Sequence, residues 1–204
     1  MSRFAVLLPA AGQSRRFGDA REKKIYRELD GRAVWLRAVE PFVNRDDVAQ
    51  IVIAIAPDDQ ELFDRRYAAN VAFLNIEVVE GGAERHDTVA RLLDRVRPEC
   101  DFVAIHDAAR PCATSDLIDR VFRAAVEHGA AIPGSPIHET VKRVDPTGVI
   151  LETIPRAGLF TAQTPQAFRL DWLREAHANR PRLNAPITDD AQLVELSGHP
   201  VSVI

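Results

Sequence analysis

A group of basic residues follows the first apolar run of the chain. The run FAVLLP (4–9) leads into Ala10, Ala11 and Gly12, and the loop beyond them carries five cations: Arg15, Arg16, Arg21, Lys23 and Lys24. Residues with little or no side chain let backbone N–H groups approach an anion closely. With Arg16 and the two lysines around it, such a loop has the chemistry of a polyphosphate site.

This loop matches neither of the common phosphate-binding motifs. It lacks the GxxxxGK[ST] pattern of a P-loop, and Gly12 and Gly18 do not have the GxGxxG spacing of a dinucleotide fingerprint. A run of basic residues is also typical of a solvated surface loop. Composition alone therefore leaves a phosphate site and an ordinary surface loop as alternatives.

Three further stretches favour a ligand site: GGAER (81–85), HDAARP (106–111) and TPQAF (164–168). The first two follow apolar runs, as the basic loop does, and open α/β sheets bind ligands beyond the carboxyl ends of their strands. Asp107, at the end of a buried run, is typical of a helix cap or of a metal ligand. A phosphate site on a neighbouring strand favours the metal.

Composition restricts the class of protein. The 204 residues, 46% of them hydrophobic, suit one domain, and the net charge of −4 argues against general nucleic-acid binding. Cys100 and Cys112 are too few for a disulfide framework and lack CxxC spacing. The N-terminal apolar run is too short for a signal peptide or a membrane span, which predicts a cytoplasmic protein without a membrane partner.

Short apolar runs alternate with helical periodicity along the chain. Apolar runs predict strands at 4–9, 50–56, 76–80, 101–106 and 199–204, and helical spacing predicts helices at 33–43, 59–69, 85–96, 114–129, 170–179 and 189–198. Strands rich in Val and Ile between helices imply βαβ units. The predicted fold is therefore α/β and Rossmann-like, a mostly parallel sheet flanked by helices in one domain, 1–204.

Residues 136–158 break this alternation. Two β-like runs flank the turn DPTG, which predicts a protruding antiparallel hairpin. An isolated hairpin is only marginally stable, so this arm needs a surface to pack on. We expect a second copy of the chain to supply it, which makes the protein a homodimer. The chain also stops inside a predicted strand, and we expect further residues after Ile204.

The chain resembles the 2-C-methyl-D-erythritol 4-phosphate cytidylyltransferases over nearly its whole length. The motifs occur in the family's order: PAAGQSRRFG, KKIY, GGAER with Thr88 and Val89, HDAARP, ETVKR, GLFTAQTPQAF and ITDDAQLVE. HDAARP and AQTPQ are specific to this family and its close relatives, whereas PAAG-x-S-x-R is shared among sugar-phosphate nucleotidyltransferases. The resemblance implies transfer of CMP from CTP to methylerythritol phosphate, with release of pyrophosphate, in the non-mevalonate isoprenoid pathway.

The resemblance also implies a role for each motif residue. Arg16 and Lys24 would grip the triphosphate and stabilise the transition state, and Asp107 would hold Mg²⁺ or another divalent cation. The implied CTP contacts are Pro9, Ala10, Ala11, Gly12, Gly82, Arg85 and Thr88. The implied contacts to the acceptor are Arg110, Thr140, Arg156 and Thr164, of which Thr140 and Arg156 lie on an arm that crosses to the partner subunit.

The physical chemistry of such a transfer agrees with these residue types. A phosphate monoester is already anionic at neutral pH, so the nucleophile needs no general base. The obstacle is repulsion between two anions, and fixed cations offset it while pyrophosphate leaves. His86 and His106, which lie near the motifs, are therefore interpreted as structural.

Several positions depart from the family pattern. Ser14 stands where glycine is common, Lys23 where proline is usual and Ile25 where glutamine is usual. Glu139 replaces the usual aspartate, and Thr88 the more frequent serine. The family also continues past residue 204 with an Asn-x-Lys-like motif. The site would be incomplete without that segment.

Two other functions remain open on sequence grounds. Relatives that act on another polyol phosphate, such as ribitol 5-phosphate, share the CTP loop. The departures would also suit a protein that binds the nucleotide without turning it over.

Overall fold

Seven strands form one sheet within the residues that this computed structural model describes, 2–12, 23–183 and 186–204. All strands are numbered along the chain: β1 Phe4–Pro9, β2 Glu28–Leu29, β3 Arg32–Ala33, β4 Val48–Ile55, β5 Ile76–Glu80, β6 Phe102–Ile105, β7 Ala130–Ile132, β8 Gly134–Pro136, β9 Val141–Val144, β10 Ile150–Ile154, β11 Phe160–Ala162, β12 Gln166–Arg169 and β13 Ser202–Val203. The order across the sheet is β13-β7-β12-β6-β1-β4-β5, and β12 runs antiparallel to both of its neighbours. The mostly parallel sheet that the sequence predicts is confirmed.

Helices cover both faces of this sheet. The α-helices of the described residues are α1 Val34–Val39, α2 Gln60–Phe73, α3 Arg85–Leu93, α4 Ser115–His128, α5 Leu170–Asn179 and α6 Asp190–Leu196. Side chains of β1 alternate between the faces: Phe4 lies in a cluster with residues of α1, α2 and α4, and Ala5 in one with residues of α3, α5 and α6. Burial on both faces explains why β1 is a continuous apolar run.

Helix ends follow the local sequence signals. Helix α4 begins after Thr114, whose hydroxyl accepts a hydrogen bond from the Leu117 N–H at 3.2 Å, and ends at Gly129. Helix α1 stops at Val39, and Pro41 lies in a short 3₁₀ turn, Glu40–Phe42. Proline cannot continue an α-helix because it lacks the N–H donor.

Two strands of the sheet lie outside the sequence prediction. Strand β7 is three residues long and β12 four, and neither carries a long apolar run. Their pairing depends on partners distant in sequence, since Ala167 pairs with Ala104 of β6 and with Ala131 of β7. The predicted strand 199–204 is reduced to β13, which pairs with β7 in parallel.

The predicted hairpin is present. Strands β9 and β10 pair antiparallel, and β8 pairs with β11 to form the base of the arm, so the excursion from the sheet is longer than 136–158. The Asp145 carboxylate closes the tip by accepting hydrogen bonds from the N–H groups of Thr147 and Val149, both at 2.9 Å. Its role in dimerisation stays a prediction.

Two further features concern the class of protein. Within the described ranges, we find no helix with the length and apolar character needed to cross a bilayer. Cys100 is buried and Cys112 exposed, and both are free thiols.

Gly129 provides a test of the packing around α4. It has a φ of +88°, and a methyl group there would overlap the Trp172 ring, whereas Gly198 has the same φ with open space around it. Alanine at either position costs roughly 1 kcal/mol of backbone strain. We expect Gly129→Ala to lower the free energy of unfolding in urea by about 1–3 kcal/mol more than Gly198→Ala does. Equal losses in the two variants would contradict this packing.

Candidate active site

The loops after β1 and β5 meet at the carboxyl edge of the sheet. The Ala10 N–H donates to the Ala54 carbonyl at 2.8 Å, and the Gly81 N–H donates to the Ile55 carbonyl at 2.7 Å. A side chain at Gly81 would overlap the Cβ of Ala11. Glycine at this position therefore lets the GGAER turn pack directly against the residues that follow β1.

Thr88 holds the GGAER turn in shape. It is buried in the first turns of α3, and its hydroxyl accepts from the Gly82 N–H at 3.0 Å and donates to the Glu84 carbonyl at 3.1 Å. Glu84 and Asp87 form a capping box at the same helix end. Thr88, expected as a nucleotide contact, thus lies under the turn with its hydroxyl engaged.

Arg85 links this turn to two carboxylates. One guanidinium nitrogen lies 2.5 Å from Asp190 Oδ2, and another lies 3.6 Å from Asp107 Oδ1. Asp190 is only 1% exposed, so its charge depends on this partner. The structure therefore brings two predicted site residues, Arg85 and Asp107, close together, and Arg85 also pairs with Asp190, to which the sequence assigned no role.

The ionised state of Asp190 is set by its surroundings. Burial on its own would raise the pKa of Asp190, but the nearby His177 and Arg85 side chains outweigh burial, and the pKa lies below its ordinary value. His177 Nε2 lies 3.4 Å from Asp190 Oδ1 without hydrogen-bond geometry. We therefore attribute the lowered pKa mainly to Arg85.

His106 organises the HDAARP turn after β6. Its Nε2 lies 3.0 Å from the Arg110 carbonyl, which can only accept, so Nε2 carries the proton. The Thr164 hydroxyl then donates to Nδ1 at 3.0 Å. Burial lowers the pKa of His106 to about 4, which keeps the ring neutral. This geometry supports the interpretation of His106 as structural, and it also engages the hydroxyl of Thr164.

Asp107 stands between two guanidinium groups. Arg110 Nε donates to Asp107 Oδ2 at 2.9 Å, whereas Arg85 lies near the other carboxylate oxygen, Oδ1. Arg110 also donates a hydrogen bond to the side-chain oxygen of Gln163. The Asp107 side chain keeps about a third of its surface exposed, 32%. It is thus a charged carboxylate that a ligand can reach, at the edge where β1 ends.

The described residues contain no group of three or more His, Cys, Asp or Glu side chains that could enclose a metal. Mg²⁺ is commonly bound by one or two carboxylates, with water and substrate phosphates as its other ligands. An accessible carboxylate beside a loop that is predicted to bind phosphate fits that donor set. Asp107 therefore suits a magnesium ion carried mainly by a nucleotide.

The other predicted residues have different outcomes. Arg16 lies outside the described residues, as does Ser14. Lys24 is exposed at the start of the 3₁₀ turn Lys24–Tyr26. The Lys23 ammonium group lies 2.7 Å from Asp59 Oδ2, and the expectation that it also faces the anion stays a prediction.

Thr140 and Arg156 lie on the arm. Both are exposed, Thr140 just before β9 and Arg156 just after β10, where its guanidinium donates to the His138 carbonyl. Their approach to a site on a partner subunit stays a prediction.

A titration tests the structural role of His106. The folded protein keeps this ring neutral to about pH 4, whereas an unperturbed histidine gains a proton near pH 6.5. The contribution of the neutral His106 ring to the free energy of unfolding is therefore complete above pH 6.5 and is lost as the pH falls towards 4. Over that interval we expect the free energy of unfolding to drop by up to about 3 kcal/mol more in the wild type than in His106→Gln. Parallel pH profiles would contradict this.

The fold and the site together define a class of protein. A mostly parallel α/β sheet whose carboxyl edge brings together the turn after β1, the GGAER turn and a reachable carboxylate is typical of a nucleotidyltransferase. A family model described as "IspD: 2-C-methyl-D-erythritol 4-phosphate cytidylyltransferase" matches residues 4–204. The chain belongs to this family.

Individual relatives agree with the family match. The chain is 39% identical to the 2-C-methyl-D-erythritol 4-phosphate cytidylyltransferase of Rhodopirellula baltica, over 98% of this chain and 85% of that protein. It is 41% identical to the enzyme of the same name from Frankia casuarinae, over 99% and 73%. It spans about half, 52%, of the bifunctional enzyme IspD/IspF of Rhodospirillum rubrum.

Solved structures have the same fold. The 2-C-methyl-D-erythritol 4-phosphate cytidylyltransferase of Thermus thermophilus superposes with a TM-score of 0.78 at 33% identity, covering 98% of this chain and 86% of that one. The 4-diphosphocytidyl-2C-methyl-D-erythritol synthase of Anaerococcus prevotii gives a TM-score of 0.84, covering 100% and 88%. At 23% identity, this second likeness supports the fold alone.

Proposed function

We propose that the chain transfers CMP from CTP to 2-C-methyl-D-erythritol 4-phosphate and releases pyrophosphate, with its active site at the carboxyl edge of the sheet. The observation that carries this assignment is the Asp107 carboxylate held between Arg85 and Arg110 beside the end of β1. The names of the relatives favour this acceptor over ribitol 5-phosphate, and an enzyme over a non-catalytic protein.

CTP would lie across the loops after β1 and β5. The backbone of Ala10, Ala11 and Gly12, which follows Pro9, would approach the phosphates closely, since these three residues present little or no side chain. The turn at Gly82, held from below by Thr88, would face the cytosine and ribose together with Arg85. Thr88 acts in this proposal through the turn, because its hydroxyl is already engaged.

Arg16 and Lys24 would supply the positive charge that stabilises the transition state. The acceptor phosphate and the α-phosphate of CTP are both anionic, so they repel each other as they approach. Negative charge also grows on pyrophosphate as it leaves. A guanidinium and an ammonium held at that point lower both costs. No side chain needs to remove a proton from the nucleophile, which agrees with a neutral, buried His106.

Asp107 would hold Mg²⁺ against the triphosphate. When bound, the ion would neutralise phosphate charge and orient the leaving group. The two guanidinium groups beside Asp107 fix the orientation of its carboxylate.

The acceptor would bind on the Arg110 side of Asp107. Arg110 is held by Asp107 and Gln163, so its guanidinium is oriented before a phosphate arrives. Thr164 supports the same turn through His106. Thr140 and Arg156 would complete the acceptor site from the arm of the partner subunit.

Two single substitutions test the catalytic roles. We expect Arg16→Ala and Lys24→Ala each to lower kcat/KM on the order of 10²-fold, because each removes a cation that stabilises the transition state. Arg65→Ala, at an exposed position of α2, is the matched control. The assay is pyrophosphate release from CTP with each acceptor. Unchanged activity in both variants would remove the mechanism, and faster turnover with ribitol 5-phosphate would overturn the acceptor.

The arm provides a test of the homodimer. Val144, Val149, Ile150 and Leu151 are 51–61% exposed in the single chain, an apolar surface that suits a second copy. We expect Ile150→Glu with Leu151→Glu to convert the dimer to a monomer in analytical ultracentrifugation. Phe73→Glu, at an 88% exposed position of α2, should leave the dimer intact.

Mixed dimers would then show whether the arm crosses between subunits. Asp107→Asn and Arg156→Ala homodimers should both be nearly inactive. A mixed dimer of the two would contain one intact site if Arg156 serves the partner's Asp107, and activity should partly return. Failure to recover any activity on mixing would contradict the crossed arrangement.

A further inference from the structure

Asp59 contacts both residues that bracket the Lys24–Ile25 pair. Its Oδ2 atom lies 2.7 Å from the ammonium group of Lys23 and accepts a hydrogen bond from the Tyr26 hydroxyl at 3.0 Å. Resting on the function proposed above, we propose that Asp59 is a positioning residue for Lys24, the lysine assigned to the triphosphate. It would act by fixing the backbone on both sides of that lysine.

The contact is sheltered enough to hold a defined geometry. The side chains of Lys23 and Asp59 are 23% and 14% exposed, and Tyr26 is buried. Burial, and after it the charge of Asp59, raises the pKa of Tyr26 far above its usual range, so the hydroxyl stays protonated and donates. Hydrogen bonds to an ionised acceptor are roughly twice as strong as neutral ones.

Tyr26 ties this segment to the body of the fold. Its ring lies 6.0 Å from that of Tyr67 and 6.4 Å from that of Phe63, both on α2, measured between centroids. The Tyr26 N–H also donates to the Lys23 carbonyl at 3.0 Å, which closes the 3₁₀ turn around Lys24. Asp59 therefore holds both ends of the turn, at Lys23 and at Tyr26, and ring packing also holds the Tyr26 end.

The position of Asp59 brings this turn to the candidate site. Asp59 ends the 3₁₀ turn Pro57–Asp59, which begins two residues after β4 ends at Ile55. Strand β4 is the parallel neighbour of β1, so Asp59 lies beyond the same edge as Pro9. The two hydrogen-bonded contacts thus hold residues 23–26 at the edge where the triphosphate is proposed to bind.

The backbone of Lys23 shows what the ion pair maintains. Its φ is −64° and its ψ is 143°, an extended conformation with the φ that a proline ring would fix. Lys23 has no ring, so its contact with Asp59 supplies the restraint. If Lys23 acts only by restraining the backbone, proline can replace it. If its ammonium group binds the nucleotide directly, proline cannot.

The test uses this equivalence. We expect Asp59→Asn to lower kcat on the order of 10-fold, with a smaller change in KM for CTP, because a lysine displaced by a fraction of an ångström stabilises the transition state poorly. Lys23→Pro should keep kcat near the wild-type value. The double variant Asp59→Asn/Lys23→Pro should recover most of the activity that Asp59→Asn loses. Asp58→Asn, in the same turn but exposed, is the matched control.

The outcomes separate the two proposals. Loss of activity in Lys24→Ala without loss in Asp59→Asn would overturn the positioning role and leave the function intact. So would a double variant no more active than Asp59→Asn, provided that thermal melting shows both to be folded. A low kcat in Lys23→Pro alone would show that Lys23 binds the nucleotide itself. Unchanged activity in Lys24→Ala would overturn the catalytic role of Lys24 and the positioning role with it.

Discussion

The ion pair between Arg85 and Asp190 holds the candidate site together. It joins the start of α3 to the start of α6, two elements far apart in sequence, and leaves a second guanidinium nitrogen facing Asp107. Removing Arg85 would strand the buried charge of Asp190, at a cost of about 3–5 kcal/mol. This constraint fixes where Arg85 lies relative to β6, and hence the geometry around the Asp107 carboxylate.

Carboxylates near the site differ in how far neighbouring side chains and N–H groups already engage their oxygen atoms. Asp190 is paired with Arg85, Asp59 is held by Lys23 and Tyr26, and Asp189 caps α6. Asp107 also has cationic neighbours but keeps about a third of its side chain exposed, 32%. In a chain with a net charge of −4, Asp190 and Asp59 thus each hold a cationic side chain in place.

The sequence predicts those parts of the structure that depend on local patterns. The bounds of β5 and α5 and the meeting of Asp107 with Arg85 follow from periodicity and strand direction. Strand β12 and the role of Asp190 could not be predicted from the sequence, because each depends on partners remote in sequence. For Thr88 and Thr164, the family resemblance identified the positions but not the burial of their hydroxyls.

The connectivity of the arm links it directly to the candidate site. The excursion leaves from β7 and returns to β12, which are neighbours in the sheet, so its length can vary without altering the strand order. Its returning limb ends at Gln163 and Thr164, the residues that contact Arg110 and His106. A displacement of the base of the arm would therefore shift Arg110 and, through it, Asp107.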